Sequence, residues 1–405
     1  MIKQISSFVC FIFCWVGFSQ NIKSIQLRPL QENNFSFIVP LGTVLELSFD
    51  DLDADSKEYQ YKIEHKTHNW KSSQLLSSQY IDGFEQNTII DTSNSFNTLQ
   101  NYTHYSVQIP NINTVITKSG NYLLSVLNED DEVVFTRRFV LYESLTAVGV
   151  SVERSRNTKT RKTQQTVQFS VNYPTIQINN PNQEINVVLL KNNNWNEKIT
   201  DLQPTFFKPN QLLYSYTNKT NFWGGNEYLN IDTKFVRNTS LNIVKVVKKD
   251  IYHHYIYPFR YNPFKMYGYS PDINGQFVIR TLEANDYKTE ADYAMMHFSV
   301  LVDKPFYKKE VYVYGAFNNF ETTEENKLFF DEKSNSYKGN FLLKQGFYNY
   351  TFATVGADGF VNTNEINGTF YETENEYTVL VYYKPFGEFY ERVVGVGTGF
   401  FNQNR

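Results

Sequence analysis

The sequence is poor in cysteine, in long apolar runs and in recognisable catalytic motifs. Its two cysteines, Cys10 and Cys14, both lie within an apolar run from Phe8 to Phe18. The rest of the 405 residues contain no thiol, which excludes disulfide bonds, thiol catalysis and thiolate metal sites there. The apolar run is shorter than the roughly 20 residues that cross a bilayer, and no comparable run follows it.

The first twenty residues have the pattern of an export signal. Lys3 supplies a positive start, the apolar run follows, and the small residue Ser19 stands near the end. This pattern predicts a secretory signal peptide over residues 1–20. A lipoprotein signal requires a small residue before its cysteine, whereas Val9 and Phe13 precede the cysteines here. We therefore expect an exported protein that is soluble or peripheral to a membrane.

Common catalytic signatures are also absent from the sequence. It contains no Gly-x-Ser-x-Gly, no His-Glu-x-x-His and no phosphate-binding loop. The alternating glycines from Gly395 to Gly399 are followed by Phe400 where a dinucleotide fingerprint needs glycine, so we interpret them as a flexible strand end. His65 and His68 would lie on opposite faces of an extended segment, which denies them a shared metal ion. No enzymatic activity, metal or cofactor is predicted.

The charged residues are nearly balanced, with a formal net charge of −4. Nucleic-acid binding requires a clustered basic surface, so this balance argues against such a partner. The one basic cluster runs from Arg154 to Lys162. It is interpreted either as a solvated hairpin turn or as a contact to lipid phosphates near a membrane.

An acidic stretch contains Asp51, Asp53 and Asp55, which have the spacing that opens a calcium loop. Ser56 replaces the glycine that an EF-hand requires, and Lys62 stands where its bidentate glutamate would be. An EF-hand is therefore excluded. A looser calcium site and a solvated acidic turn both remain open.

Aromatic residues make up 17% of the chain, with 30 Tyr and 34 Phe, and they favour strands over helices. Apolar and polar residues alternate in several segments separated by Gly, Asn and Pro turns, as expected for strands with one buried face. One polar segment, 283–293, reads instead as a long loop or a single helical turn. The sequence predicts an all-β protein of consecutive immunoglobulin-like antiparallel β-sandwich domains. The clearest alternating segments are Tyr59–Ile63, Tyr105–Ile109, Val167–Tyr173 and Tyr377–Tyr383.

The length suggests three units of about 100–150 residues each. A first boundary is placed where one strand pattern ends near residue 142 and another begins near 147. A second is placed near residues 261–268, after an aromatic stretch that we expect to pack against both neighbouring units. The predicted domains are 21–145, 146–265 and 266–405.

The segment from Phe49 to Tyr105 carries an ordered set of motifs. It resembles the N-terminal domain of the plug proteins of the type IX secretion system of Bacteroidetes, although Lys66 stands where a cysteine is expected. The resemblance implies a periplasmic protein at the inner side of the outer membrane. Such a protein closes the periplasmic mouth of the translocation barrel when no cargo passes. The matching residues are Asp50, Asp51, Tyr59, Tyr61, His65, Trp70, Tyr80, Gly83, Phe84 and Tyr102–Tyr105.

The third predicted domain contains short motifs between residues 311 and 352 that resemble immunoglobulin-like glycan-binding modules. Those modules usually present a tryptophan for sugar stacking, whereas Phe320 stands at that position here. The resemblance supports the sandwich fold better than it supports sugar binding. A periplasmic or surface glycan-binding protein is kept as the alternative function.

Two aromatic segments are the predicted partner interface. A loop with two glycines beside Trp223 is expected to leave that side chain partly exposed, and the aromatic stretch before the second boundary is the other candidate. The alternatives are a tryptophan folded onto its own sandwich and an aromatic stretch that only joins two domains. The candidate residues are Trp223, Tyr228, His253, His254, Tyr257 and Phe259.

Overall fold

The structure, a computed structural model, describes residues 21–31 and 34–401, so the predicted signal peptide lies outside the described residues. Thirty-one strands, most of them short, make up the regular structure of this part of the chain. The strands up to residue 214 are β1 (Ile22–Pro29), β2 (Ile38–Pro40), β3 (Leu45–Asp51), β4 (Gln60–Lys66), β5 (Ile81–Gly83), β6 (Gln86–Thr88), β7 (Asp91–Asn94), β8 (Thr103–Ile109), β9 (Thr114–Ile116), β10 (Gly120–Leu127), β11 (Val133–Tyr142), β12 (Ala147–Arg154), β13 (Gln164–Asn172), β14 (Ile185–Lys191), β15 (Asn194–Ile199), β16 (Phe206–Lys208) and β17 (Gln211–Tyr214). The later strands are β18 (Asn221–Trp223), β19 (Leu229–Asp232), β20 (Ile243–Lys248), β21 (Tyr252–Ile256), β22 (Phe259–Arg260), β23 (Phe277–Ile279), β24 (Tyr293–Leu301), β25 (Glu310–Tyr314), β26 (Lys327–Asp331), β27 (Ser336–Lys344), β28 (Gly346–Val355), β29 (Val361–Asn362), β30 (Asn375–Tyr383) and β31 (Arg392–Phe401).

Helices contribute only single turns to the described residues. The α-helical turns are α1 (Pro181–Glu184), α2 (Tyr287–Glu290) and α3 (Asn364–Asn367), and 3₁₀ turns occur at Ser77–Gln79, Ala316–Asn318 and Glu324–Asn326. α2 confirms the helical turn predicted between residues 283 and 293. Within the described ranges, no helix has the length and apolar character needed to span a bilayer.

The first unit consists of two sheets with the strand orders β1-β3-β8-β7 and β2-β11-β10-β4-β6, and of a separate pair, β5-β9. Their shared core is rich in aromatic rings, and Phe49, Tyr59 and Tyr105 meet pairwise with ring centroids 5.0–5.3 Å apart. The alternation predicted in β4 is confirmed, because Tyr61 and Ile63 are buried while Lys62 between them is half-exposed.

The middle of the chain shares a sheet with its C-terminal end. β14 pairs with β30 in the sheet β15-β14-β30-β31, and this sheet packs against the sheet β12-β13-β17-β16, which also holds β18. The boundary predicted between residues 265 and 266 therefore places two paired strands of one sheet, β14 and β30, in different predicted domains. Local apolar patterns reveal strands but not their partners, and here the two partners are almost 200 residues apart.

The sheet that contains β14 and β30 is buried on both faces. Val187 and Leu189 belong to the core shared with the β12–β13 sheet. Their neighbours Val188 and Leu190 pack instead, with Leu380 and Tyr382, against the first unit. Four sheets are thus stacked on one another. This arrangement explains why residues 377–383 are buried without alternation, which a two-layer sandwich would not require.

Residues 229–362 form an eleven-stranded sheet that curls into a nearly closed barrel, not the third sandwich that was predicted. Its order is β19-β28-β25-β26-β27-β24-β21-β20, with β22 on β24 and with β23 and β29 on β28. The side chain of Asn242, just before β20, donates to the backbone oxygen of Asn230 in β19 at 2.7 Å. This bond joins the two ends of the sheet around one apolar core.

The glycines of β31 have a packing role. A side chain at Gly397 would place its Cβ 2.6 Å from the carbonyl oxygen of Val148 in β12. A Cβ at Gly395 would overlap the Thr146 side chain, and one at Gly399 would lie 2.6 Å from Val150 Cγ1. The interpretation of this segment as a flexible strand end is therefore wrong. Residues 395, 397 and 399 are glycine because β12 and the residue before it lie directly against that face of β31.

We predict that Gly397→Val destabilises the protein by about 1–3 kcal/mol or more, because the added side chain overlaps the backbone of β12. Urea unfolding followed by circular dichroism measures the change. Thr398→Val, at an exposed position of the same strand, is the matched control and should stay within about 0.5 kcal/mol of wild type. Equal stability of the two variants would contradict the close packing.

Candidate partner interface

The first unit and the barrel are joined by a buried cluster of polar side chains, called here the buried joint: Asp50, His104, Tyr293 and Lys344. Asp50 is fully buried and accepts from the Tyr293 hydroxyl at 2.6 Å and from Lys344 Nζ at 2.7 Å. His104 Nδ1 lies 2.6 Å from the other carboxylate oxygen. Asp50 and His104 come from β3 and β8, whereas Tyr293 and Lys344 come from β24 and β27.

Lys344 is held by more than its ion pair. Its ammonium donates to the Lys288 carbonyl at 2.7 Å and lies 4.1 Å from the centroid of the Tyr102 ring. Burial lowers the pKa of Lys344, and the charge of Asp50 opposes that shift. Tyr102 in turn donates its hydroxyl to the Ala291 carbonyl at 2.9 Å. Motif residues of the first unit thus provide a charge partner and an aromatic face for a lysine of the barrel.

A second contact joins the first unit to the sheet of β14 and β30. His68 Nδ1 lies 2.8 Å from a carboxylate oxygen of Glu391, and the Tyr382 hydroxyl donates to Asn121 Oδ1 at 2.8 Å. Trp70 meets Trp195 edge to face, with centroids 4.8 Å apart. The first unit therefore packs against both other parts of the chain, and the three do not form a linear string.

The acidic turn after β3 is neutralised from within the protein. Lys57 Nζ lies 3.0 Å from Asp51 and 3.4 Å from Asp55, and it also contacts Asp53. The Tyr59 hydroxyl donates to Asp51 at 2.8 Å. A calcium ion would have to displace this lysine, and no group of three or more His, Asp or Glu residues in the described ranges is arranged to hold a metal.

The six residues predicted for the partner interface differ in exposure. Tyr228 and His254 are buried, and His254 Nε2 is held 2.8 Å from the Val236 carbonyl. His253 and Phe259 are half-buried, and His253 lies on the opposite face of β21, 2.8 Å from His297 Nε2. Only two of the six present large exposed surfaces, Trp223 (45% exposed) and Tyr257 (66% exposed).

Asn367, a buried residue of α3, brings the two predicted segments together. Its Nδ2 donates to the Glu227 carbonyl at 3.1 Å, and its Oδ1 accepts from Lys265 Nζ at 2.8 Å. Lys265 also lies 5.1 Å from the centroid of the Phe259 ring. The loop after Trp223 and the loop after Tyr257 are therefore neighbours, although no sequence pattern indicated this.

The segments on either side of β22 carry an apolar surface, of which the sequence prediction included only Tyr257. We call it the connector ridge and define it by Tyr257, Phe264, Met266 and Tyr269. Phe264 is 88% exposed and Met266 is 85% exposed. Large apolar residues within a segment rich in Asn, Pro and Gly are the signal that could have revealed it. Exposed apolar surface of this kind marks interaction sites.

A smaller apolar surface lies in the first unit. Phe84 is 68% exposed and Ile112 is 97% exposed. The two lie close together because the Phe84 N–H donates to the Asn113 carbonyl at 2.9 Å. Phe84 is thus a motif residue that faces solvent, unlike those of the buried joint.

Phe320, at the position where glycan-binding modules present a tryptophan, is buried. It packs against Tyr314 with centroids 5.4 Å apart, and its carbonyl accepts from Asn196 Nδ2 at 2.7 Å. The ring is therefore not presented on the surface for stacking on a sugar.

Two carboxyl groups, those of Glu227 and Asp272, have raised pKa values. Burial raises the pKa of Glu227 to about 7, although the Tyr267 hydroxyl donates to its carboxylate at 2.5 Å. Burial likewise raises the pKa of Asp272 to about 6. The negative charge of Asp272 adds to the shift at Glu227, since the two carboxyl groups repel each other when ionised.

Comparisons with known proteins agree with the architecture and with the motifs. Residues 22–143 match the family model described as "Type 9 secretion system plug protein 1st domain". The crystal structure of a hypothetical protein from Parabacteroides merdae superposes with a TM-score of 0.90 at 31% identity, covering 94% of this chain and 97% of that one. A comparison with curated proteins finds no match.

The superposition shows that the sheet stack and the barrel of this chain form one β-rich architecture that recurs, over most of the chain, in another protein. Within this architecture the family model covers the first unit of the chain. Residues 22–143 therefore belong to the first-domain family of the type IX secretion system plug proteins.

We predict that Lys344→Met destabilises the protein by about 3–5 kcal/mol, because it leaves Asp50 buried without its cation. The variant Asp50→Asn/Lys344→Met should recover part of this loss, since it removes both charges. Lys338→Met is the matched control, because Lys338 lies in the same strand and forms an exposed pair with Asp331 worth about 1 kcal/mol or less. Unfolding in urea distinguishes these outcomes, and equal losses at Lys344 and Lys338 would contradict a buried charge pair.

We predict that Glu227→Gln is as stable as wild type near pH 4.5 and more stable, by about 2 °C in Tm, near pH 8. The folded-state pKa of Glu227 lies above its ordinary value, so the stability contributed by the protonated form is complete below that value and falls as the pH rises toward about 7. Glutamine reproduces the protonated form at every pH. Thermal melts across this range give the difference between the two proteins.

Glu153→Gln, at a side chain that is 42% exposed, serves as the control for the loss of one carboxylate. A Tm difference between Glu227→Gln and wild type that does not change with pH would contradict the raised pKa.

Proposed function

We propose that this chain is the non-enzymatic plug subunit of the type IX secretion system, which closes the periplasmic mouth of the outer-membrane translocation barrel when no cargo passes. The match of residues 22–143 to the plug family model carries the proposal, and the similarity to the Parabacteroides merdae protein extends along the whole chain. In this role the protein resides in the periplasm, at the inner side of the outer membrane, where the predicted signal peptide would deliver it.

Rigidity between the units supports this role. A plug must keep its shape while it covers a large aqueous opening, and it must still be released when cargo arrives. The buried joint and the contact between Trp70 and Trp195 hold the first unit to the barrel and to the central sheet at two separate places. The chain therefore presents its surfaces as one body, which suits a cover for a pore.

We place the contact with the translocation barrel at the connector ridge and at Trp223. Aromatic residues and methionine are favoured at the centres of interfaces because they provide large contact area. His253 and Phe259 are half-buried, and Tyr228 and His254 are buried, so these four contribute to such a contact less than Trp223 and Tyr257 do.

The glycan-binding alternative has less support. It depended on the third module, where Phe320 would have to stack on a sugar, and that ring is buried against Tyr314. Retardation of the protein in polysaccharide gels would revive this alternative.

The direct test is to tag the C-terminus, extract the outer membrane with mild detergent and identify the recovered proteins by mass spectrometry. Recovery of a very large outer-membrane barrel, together with leakage of large antibiotics in a deletion strain, is the expected result. Recovery of the protein alone, or with polysaccharide-uptake components, would contradict the plug function.

We predict that the double variant Phe264→Asp/Met266→Asp loses the translocation barrel in this purification and makes cells sensitive to large antibiotics. Its Tm should stay within about 2 °C of wild type, since both side chains are exposed. Phe386→Asp, at a residue that is 97% exposed in the loop between β30 and β31, is the control and should retain the barrel.

A second variant, Phe84→Asp/Ile112→Asp, tests the apolar surface of the first unit. Loss of the translocation barrel in this variant alone would move the contact from the connector ridge to the first unit. Retention of the barrel by both double variants would contradict an apolar interface at either place.

A further inference from the structure

A cavity of about 280 Å³ lies where the first unit, the β14–β15 hairpin and the barrel meet. The first unit contributes parts of β1 and β11 and the segment 35–37, the hairpin contributes residues 193–196, and the barrel contributes β23 and the turn after β25. The cavity is large enough for a small organic molecule. It is separate from the connector ridge and from the buried joint.

Arg137 lines this cavity and has no counter-ion among the described residues. Its guanidinium makes one hydrogen bond, from Nη1 to the Thr136 carbonyl at 2.8 Å, and its carbon lies 5.5 Å from the centroid of the Phe135 ring. A guanidinium has five N–H donors, so most of its donors are unused. A half-buried cation with so few hydrogen bonds lowers the stability of the fold unless an anion pairs with it.

Other charges around the cavity add to its positive potential. The Arg138 guanidinium lies 4.7 Å from the centroid of the Trp70 ring, and its charge contributes to lowering the pKa of Lys198, which burial also lowers. Burial lowers the pKa of Arg137 as well, and the charge of Glu321 at the cavity edge only partly opposes this. The cavity lining therefore holds three arginines, Arg28, Arg137 and Arg138, against one carboxylate, that of Glu321.

Aromatic rings and polar side chains such as Asn194 and Gln276 form the remaining walls. Phe37 and Trp195 lie with ring centroids 6.0 Å apart, and Phe277 and Phe320 come from the barrel. The bond from Asn196 to the Phe320 carbonyl closes the hairpin against the barrel at this wall. Flat apolar groups pack well against such rings. An anionic group would instead pair with the N–H donors of the Arg137 guanidinium.

We propose that this cavity binds a small organic anion, in which a carboxylate or phosphate pairs with Arg137 and a flat apolar part lies between the aromatic walls. Its three walls come from three parts of the chain, so a bound ligand stabilises their mutual arrangement. Binding to the folded state alone raises the Tm in proportion to the logarithm of ligand excess. The site does not depend on the plug function.

The test uses the full mature chain and three probes: benzoate, inorganic phosphate and the neutral benzamide. Isothermal titration calorimetry and thermal melts should give saturable binding of benzoate with a rise in Tm, and little or no binding of benzamide. Phosphate reports whether the anionic group suffices without the apolar part. Arg137→Gln should weaken benzoate binding by about tenfold or more.

Arg156→Gln is the matched control, because Arg156 is exposed on the turn after β12 and pairs with Glu153 at 2.9 Å. Ala316→Met is a second variant, which fills the cavity without changing its charge and so remains informative if Arg137→Gln does not fold. It should also abolish benzoate binding. No saturable binding of either anion by the wild-type protein, or unchanged binding in both Arg137→Gln and Ala316→Met, would overturn the proposal.

Discussion

The ion pair between Asp50 and Lys344 is the interaction on which the arrangement of the units depends. Both groups are almost fully buried, and each has a further partner in the other unit: Asp50 accepts from the Tyr293 hydroxyl of the barrel, and Lys344 lies over the Tyr102 ring of the first unit. A buried charge is tolerated only when its partner is present, so the first unit and the barrel can meet in few other ways without a large penalty. Apolar contacts alone would not impose that restriction, because they are not directional.

The central sheet imposes a second constraint. β14 and β30 pair although the whole barrel lies between them in sequence, so the C-terminal strands return to complete a sheet begun by the middle of the chain. This sheet has no solvent-facing side at its centre, since Val188 and Leu380 pack on the first unit while Val187 and Val379 pack on the β12–β13 sheet. The three predicted domains therefore share their cores and contacts.

Much of the local structure follows from the sequence. The alternation at Tyr59, Tyr61 and Ile63 indicated a strand with one buried face, and the order of motifs from Asp50 to Tyr105 indicated the family of the first domain. Each of these features is a pattern among residues that lie close to one another in the sequence. The partners of β14 could not be predicted in this way, and neither could the closure of the barrel by Asn242. Both depend on contacts between segments that are distant in sequence, for which one chain provides no local signal.

The candidate interface shows the same division between local and distant information. Trp223 beside two glycines was correctly expected to remain partly exposed, whereas Tyr228 and His254 have the composition of interface residues and are buried. Composition does not specify which face of a strand is covered, because that depends on the element packed against it. His253 and His254 are adjacent, yet they point to opposite faces of β21. His254 contacts the Val236 carbonyl, whereas His253 contacts His297.

The burial of the motif residues also limits what the motif can reveal about binding. Asp50, Tyr102 and His104 are used within the chain, where they hold the first unit against the barrel. A motif made of such residues identifies an architecture, and the contact with a partner must be sought among residues outside it. Phe84 is an exception within the motif, and the connector ridge lies entirely beyond it. Under the proposed function, the outer surface of this architecture can therefore be adapted to a particular translocation barrel without disturbing the joint that keeps the units in place.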